Sequence, residues 1–153
     1  MMLDLTICSR RRRVIRILIA DDHEVIRFGL RMLLGAEPDI TVIGEAVDGR
    51  AAVAMVATDP PDIVLMDLSM PVLDGVSATR EIVTIAPSVQ VLVVTADARD
   101  SAVREAFDAG ASGYVLKDSS PETLLDAIRS VFGRQPPVSP KVFGVQAAGS
   151  ATQ

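Results

Sequence analysis

Ile63-Val64-Leu65-Met66-Asp67-Leu68-Ser69-Met70-Pro71 is the stretch on which the reading of this chain turns. Four apolar residues in a row, two of them β-branched, describe a strand buried on both faces. An acid follows at once. An unpaired buried carboxylate is costly, so a strand ends on one where a charge is needed. Asp67 stands where the strand leaves the sheet, and Pro71 stops the ladder from continuing. In open α/β sheets, ligands gather just outside the carboxyl ends of the strands. Taken alone, Asp67 also reads as a residue that starts a turn, so the decision rests on the rest of the chain.

Working outward, the same pattern recurs. An apolar strand is predicted over 14–20 and ends at Asp21-Asp22; another over 89–95 ends on Thr95, and a last one over 113–117 ends on Lys117. A further strand is predicted over 40–46. Helices are predicted over 24–35, 50–58, 76–86, 100–109 and 121–132. In the first, Ile26, Gly29, Leu30 and Leu33 fall on one face. The last opens with Ser120 as N-cap and Pro121 at the first helical position, and Gly110 closes the fourth. Met32, Met55 and Met66 read as core filler. Regular alternation of five strands and five helices gives an α/β fold with a parallel sheet covered on both sides. Its expected form is flavodoxin-like and doubly wound, with strand order 2-1-3-4-5. Residues 1–13 read as a basic extension, 14–133 as the folded domain, and 134–153, rich in Pro, Gly, Ala and Ser, as linker or tail.

Composition narrows the function. The chain has 153 residues, enough for one domain with a real core. Its apolar residues are 49% of the total and its aromatics 3%, so the core is aliphatic. A net charge of −5 argues against a nucleic-acid or anionic-membrane binder, and the Arg10–Arg13 run reads as a solvated extension. The single cysteine, Cys8, can form neither an intrachain disulfide nor a CxxC site, which fits a cytoplasmic setting. No apolar run reaches the ~20 residues of a membrane span, and no P-loop or GxGxxG turn is present.

In the order 2-1-3-4-5 the first and third strands are neighbours. Asp21, Asp22 and Asp67 then meet, with Thr95 and Lys117 beside them. Carboxylates ~4 Å apart repel by about 4 kcal/mol at an effective dielectric of 20. Three acids therefore call for a cation. Lys117 brings one charge, and Mg²⁺ suits the remainder, since it takes one or two carboxylates and keeps waters that a phosphate can displace. His23 follows the acidic pair and reads as a helix-entry residue rather than a ligand or phosphorelay histidine.

Asp21-Asp22, Asp67, Thr95 and Lys117, with Tyr114 three residues before the lysine, resemble the receiver domain of bacterial two-component response regulators. The phrases Ala20-Asp21-Asp22-His23 and Gly113-Tyr114-Val115-Leu116-Lys117-Asp118 resemble the nitrate-regulator/LuxR-type group. The resemblance implies that Asp67 accepts a phosphoryl group from a sensor histidine kinase. It implies Mg²⁺ held by Asp22, Asp67 and the Ser69 carbonyl, with Asp21 acting through water. Lys117 then pairs with the phosphoryl oxygens, Thr95 turns its hydroxyl onto them, and Tyr114 follows into the vacated space. The implied protein is a cytoplasmic phosphoprotein switch rather than a turnover enzyme, assisting only its own phosphotransfer and slow dephosphorylation. Its output is transcription regulation, with a homodimer on phosphorylation left open. DNA is contacted only through an effector domain that this chain does not carry, so residues 1–153 are expected to show no sequence-specific DNA binding. One departure stands out: many members have proline after the lysine, whereas this chain has Asp118, leaving that bond open between cis and trans.

Three other readings compete. A stand-alone receiver would act in a phosphorelay or by protein–protein contact. A flavodoxin-like cofactor carrier needs a Ser/Thr/Gly-rich phosphate loop after the first strand, where Asp21-Asp22 sits instead. A phosphatase of the aspartyl-phosphate kind places a second Asp two residues after the nucleophile, and that position is Ser69.

Overall fold

A computed structural model describes residues 13–132 and 141–143. Strands β1 (Ile15–Ala20), β2 (Ile40–Ala46), β3 (Ile63–Met66), β4 (Gln90–Thr95) and β5 (Gly113–Leu116) alternate with helices α1 (Glu24–Gly35), α2 (Gly49–Thr58), α3 (Gly75–Ile85), α4 (Asp100–Ala109) and α5 (Pro121–Val131). The expected elements are all present, their ends displaced by a residue or so. The sheet is parallel throughout and carries one strand more than expected, β6 (Lys141–Phe143), giving the order 2-1-3-4-5-6. Three residues inside a stretch rich in Pro, Gly and Ala gave no periodic signal; β6 exists because β5 offers it an edge.

Both faces of the sheet are covered, which is why its strands show unbroken apolar runs. Leu18, Val64, Met66, Val91 and Val93 pack on one side with Ala52 and Val56 of α2, Ile82 of α3 and Ala106 of α4. Ile17, Ile19, Leu65, Leu92 and Val115 pack on the other with Leu34 of α1 and Leu124, Ile128 and Val131 of α5. Caps fix the helix entries. Ser120 Oγ accepts the Thr123 amide at 3.1 Å, as expected, and the carboxylates of Asp48 and Asp74 accept the Ala51 and Ser77 amides. Gly110, at φ 114°, closes α4.

Of the three methionines expected in the core, only Met66 lies there. Met32 is 60% exposed and Met55 39%. Met32 belongs to an outward stripe of α1 with Val25 and Phe28, so the apolar residues of this helix cover two faces and not one. Arg10 to Arg12 and Cys8 lie outside the described residues; Arg13 sets its guanidinium 4.8 Å from the centre of the Phe132 ring. No helix among the described residues is long and apolar enough to cross a membrane.

One backbone feature lies in the loop between β3 and α3. Val72 has φ 69°, a left-handed conformation that strains a β-branched residue, and its side chain is 79% exposed. With little packing to lose, Val72→Asn should relieve strain and raise stability by about 1 kcal/mol, seen as a higher thermal midpoint. An unchanged or lower midpoint would count against the strain.

Candidate functional site

The strand register assembles the site. Ala20 of β1 pairs with Met66 of β3, so the next residues, Asp21 and Asp67, emerge side by side. The Asp67 amide donates to the Ala20 carbonyl at 3.0 Å and holds this arrangement. On the other flank Thr95 pairs with Leu116, and the Lys117 amide donates to the Thr95 carbonyl at 2.8 Å. Four strand ends thus converge on one edge, as the sequence required.

Asp21 and Asp67 are nearly inaccessible, at 2% and 3% exposure. Lys117 spans them: its Nζ lies 2.8 Å from Asp21 Oδ2 and 3.4 Å from Asp67 Oδ2. Burial raises the Asp67 pKa above the usual carboxylate value and the charge of Asp21 adds to this, while Lys117 and the Ser69 amide pull it back. Burial of Lys117 alone would lower its pKa, but the hydrogen bond to Asp21 and the charge of Asp67 outweigh it, so the ammonium titrates above its ordinary value. The two buried acids and the half-buried lysine make a set with one more negative than positive charge.

Asp22 joins from the solvent side. One ligand atom from each of Asp21, Asp22, His23 and Asp67 lies within 4.8 Å of the others. Hard carboxylate oxygens at this spacing, with uncompensated negative charge, fit a divalent cation such as Mg²⁺. His23 comes closer than its reading as a helix-entry residue implied: its Nδ1 is 3.1 Å from both Asp21 Oδ1 and Asp22 Oδ1, and its amide donates to Asp21 Oδ1 at 2.8 Å. Arg27 was not anticipated at all. From the first turns of α1 its Nη1 donates to the Asp21 carbonyl at 2.8 Å, and its Nε reaches Glu45 at 3.1 Å. Such contacts across 6 and 18 positions leave no trace in a periodic reading.

Thr95 and Tyr114 are both buried and meet through a residue the sequence did not single out. The Tyr114 hydroxyl donates to the Asp97 carbonyl at 2.6 Å, and the Asp97 amide points at Thr95 Oγ1, 3.4 Å away. Burial pushes the Tyr114 phenol up to about 12. Arg99 clamps the Asp97 side chain and holds its carboxyl down to about 2. Ser69 is exposed, two residues beyond Asp67. A turn follows the lysine, with the Ser119 amide donating to the Leu116 carbonyl at 3.0 Å.

Known proteins share this fold and much of this sequence. Residues 17–129 match the family described as the response regulator receiver domain. The transcriptional regulatory protein LiaR of Bacillus subtilis is 41% identical over 131 residues, which is 86% of this chain and 62% of that protein. The response regulator protein VraR of Staphylococcus aureus is 38% identical over 129 residues, 84% of this chain and 62% of that protein. A two-component response regulator of the LuxR family from Aurantimonas superposes with a TM-score of 0.79 at 32% identity, covering 92% of this chain and 99% of that one. The chain thus spans a little over half the length of the curated relatives it matches. With residues 17–129 matching that family and LiaR 41% identical over most of the chain, the chain belongs to the response regulator receiver family, with its relatives in the LuxR-type group.

Proposed function

We propose that this domain accepts a phosphoryl group on Asp67 from a sensor histidine kinase in the cytoplasm, and that the acyl phosphate shifts the Thr95–Tyr114 pair to drive an output. The observation that carries this reading is the pairing of Lys117 with both Asp21 and Asp67, which presents a buried carboxylate beside a fixed cation. An Asp67 carboxylate oxygen forms the new O–P bond as the P–N bond of the donor phosphohistidine breaks, and the leaving imidazole takes up a proton. Lys117 supplies positive charge to the phosphoryl oxygens where charge gathers. Asp22, Asp67 and the Ser69 carbonyl would hold Mg²⁺, with Asp21 acting through water, and the ion would supply positive charge against the remaining acids. Thr95 then offers its hydroxyl to the phosphoryl group, and Tyr114 moves with it. The chain acts as a switch rather than as an enzyme with turnover. Since its relatives are named as transcriptional regulators, the output proposed is transcription, with DNA contacted by an effector domain and self-association of receivers as one route of coupling.

The test is metal dependence. Incubation with a small acyl phosphate and Mg²⁺ should add one phosphoryl group, and chelation of the metal should slow this at least ~100-fold. In the absence of donor, Mg²⁺ should raise the thermal midpoint, because a cation bound only to the folded state stabilises it by mass action. Asp22→Ala should remove that rise. An equal response to Mg²⁺ in the variant, or equal labelling without metal, would show that the acids are not the cation site.

A further inference from the structure

β6 rests directly on the strand that carries the switch tyrosine. Lys141, Val142 and Phe143 register with Gly113, Tyr114 and Val115. Phe143 is buried in the α1/α5 side of the core with Val115 and Leu92. Its seat exists because residue 113 is glycine: a Cβ there would lie 3.0 Å from Phe143 Cε2 and 2.8 Å from Leu92 Cδ1. On the opposite face Val142 packs with the Tyr114 side of the core. Val142, Tyr114, Val103, Leu116 and Thr123 border one cavity of about 720 Å³, so there is open room beside the ring. The ladder is short, and its entry bond, from the Lys141 amide to the Ser112 carbonyl, is long at 3.4 Å. A three-residue strand with one buried ring is held at the low-stability end of the fold, where local opening occurs.

We infer that Lys141–Phe143 is a releasable strap, seated on β5 while Tyr114 keeps its hydroxyl on the Asp97 carbonyl and unseated when the ring leaves that position. The ring and Val142 stand at paired positions on the same face of the sheet, so withdrawal of the ring toward Thr95 removes a wall of the Val142 site. Unseating then bares the β5 edge, whose backbone groups are free to pair elsewhere. Coupling of this kind is reciprocal: a chain that has lost its strap holds Tyr114 less firmly. The strap rests on the proposed function only in that phosphorylation of Asp67 is what moves Tyr114.

Hydrogen exchange on the full chain, resolved by residue with NMR, tests it. In the unphosphorylated protein the Lys141 and Phe143 amides, which face β5, should be protected, and acyl phosphate with Mg²⁺ should speed their exchange at least tenfold while β1 and β3 stay unchanged. Phe143→Ser should exchange at the fast rate without any phosphoryl group, and Gly113→Ala should do the same if it folds. Tyr114→Ala should also open β6 without donor. An adduct on Asp67 with β6 protection unchanged overturns the strap and leaves the phosphoacceptor reading standing. If no adduct forms, that reading fails, and the strap is decided by Tyr114→Ala and Phe143→Ser: fast exchange in both supports it, and protection retained in either overturns it.

Discussion

Gly75→Ala is expected to destabilise the chain by about 3 kcal/mol and to cut phosphoryl acceptance at Asp67 at least ~100-fold. The cause is a close approach that the sequence does not show. A Cβ on Gly75 would lie 2.2 Å from the Asp67 carbonyl oxygen and 2.7 Å from Leu68 Cα, and the Gly75 amide donates to the Leu68 carbonyl at 2.9 Å. The clashing atoms are backbone, so no side chain can swing aside. The 67–68 peptide must move, carrying the acid away from Lys117, and a shift of about 1 Å at a reacting group is enough for such a loss of rate. Gly29→Ala is the matched control. Gly29 lies within α1 with nothing inside 4 Å of its Cβ position, so alanine there should stabilise by about 0.5–1 kcal/mol through helix propensity. Urea midpoints of the two variants should move in opposite directions. Parent-like stability and labelling in Gly75→Ala would show that the loop does not press on the acid.

Lys117→Ala should cost about 3 kcal/mol at neutral pH in metal-free buffer, because it leaves two buried carboxylates without their cation. The sign with pH follows from Asp67. Its pKa in the folded chain is already above the unfolded value, so this group disfavours folding once pH rises through the folded pKa and imposes no penalty below the unfolded one. Removing the ammonium raises that pKa further. The stability gap between parent and variant should therefore be widest at neutral pH and narrow as pH falls through the raised folded pKa of Asp67 toward its unfolded value. Mg²⁺ should restore part of the loss at neutral pH, while labelling stays slow for want of the lysine. A gap independent of pH would mean that Lys117 stabilises by packing its stem and not by its charge.

Much of this was legible in the sequence, for a physical reason. A strand buried on both faces has to be apolar throughout, so the points where Asp21, Asp67, Thr95 and Lys117 interrupt the runs mark strand ends, and the doubly wound order brings those ends together. The features that escaped the reading depend on long-range proximity. β6 is a strand only because β5 has a free edge and Gly113 leaves room for Phe143. Arg27 meets the Asp21 carbonyl through the angle at which α1 leaves β1, and Asp97 joins Thr95 to Tyr114 by its peptide groups, which any residue type could supply. Met32 and Met55 were misplaced because hydrophobicity alone does not say which side of a helix faces the sheet.

The claim that Asp67 is the phosphoacceptor is tested most directly by locating the modification. After incubation with Mg²⁺ and an acyl phosphate, the intact chain should gain the mass of one phosphoryl group, lose it on treatment with hydroxylamine as an acyl phosphate does, and yield a modified peptide in which the label maps to Asp67. Asp67→Asn should show no such adduct under the same conditions. Labelling of that variant at the parent's rate, or a label mapped to another residue of the parent, would contradict the account.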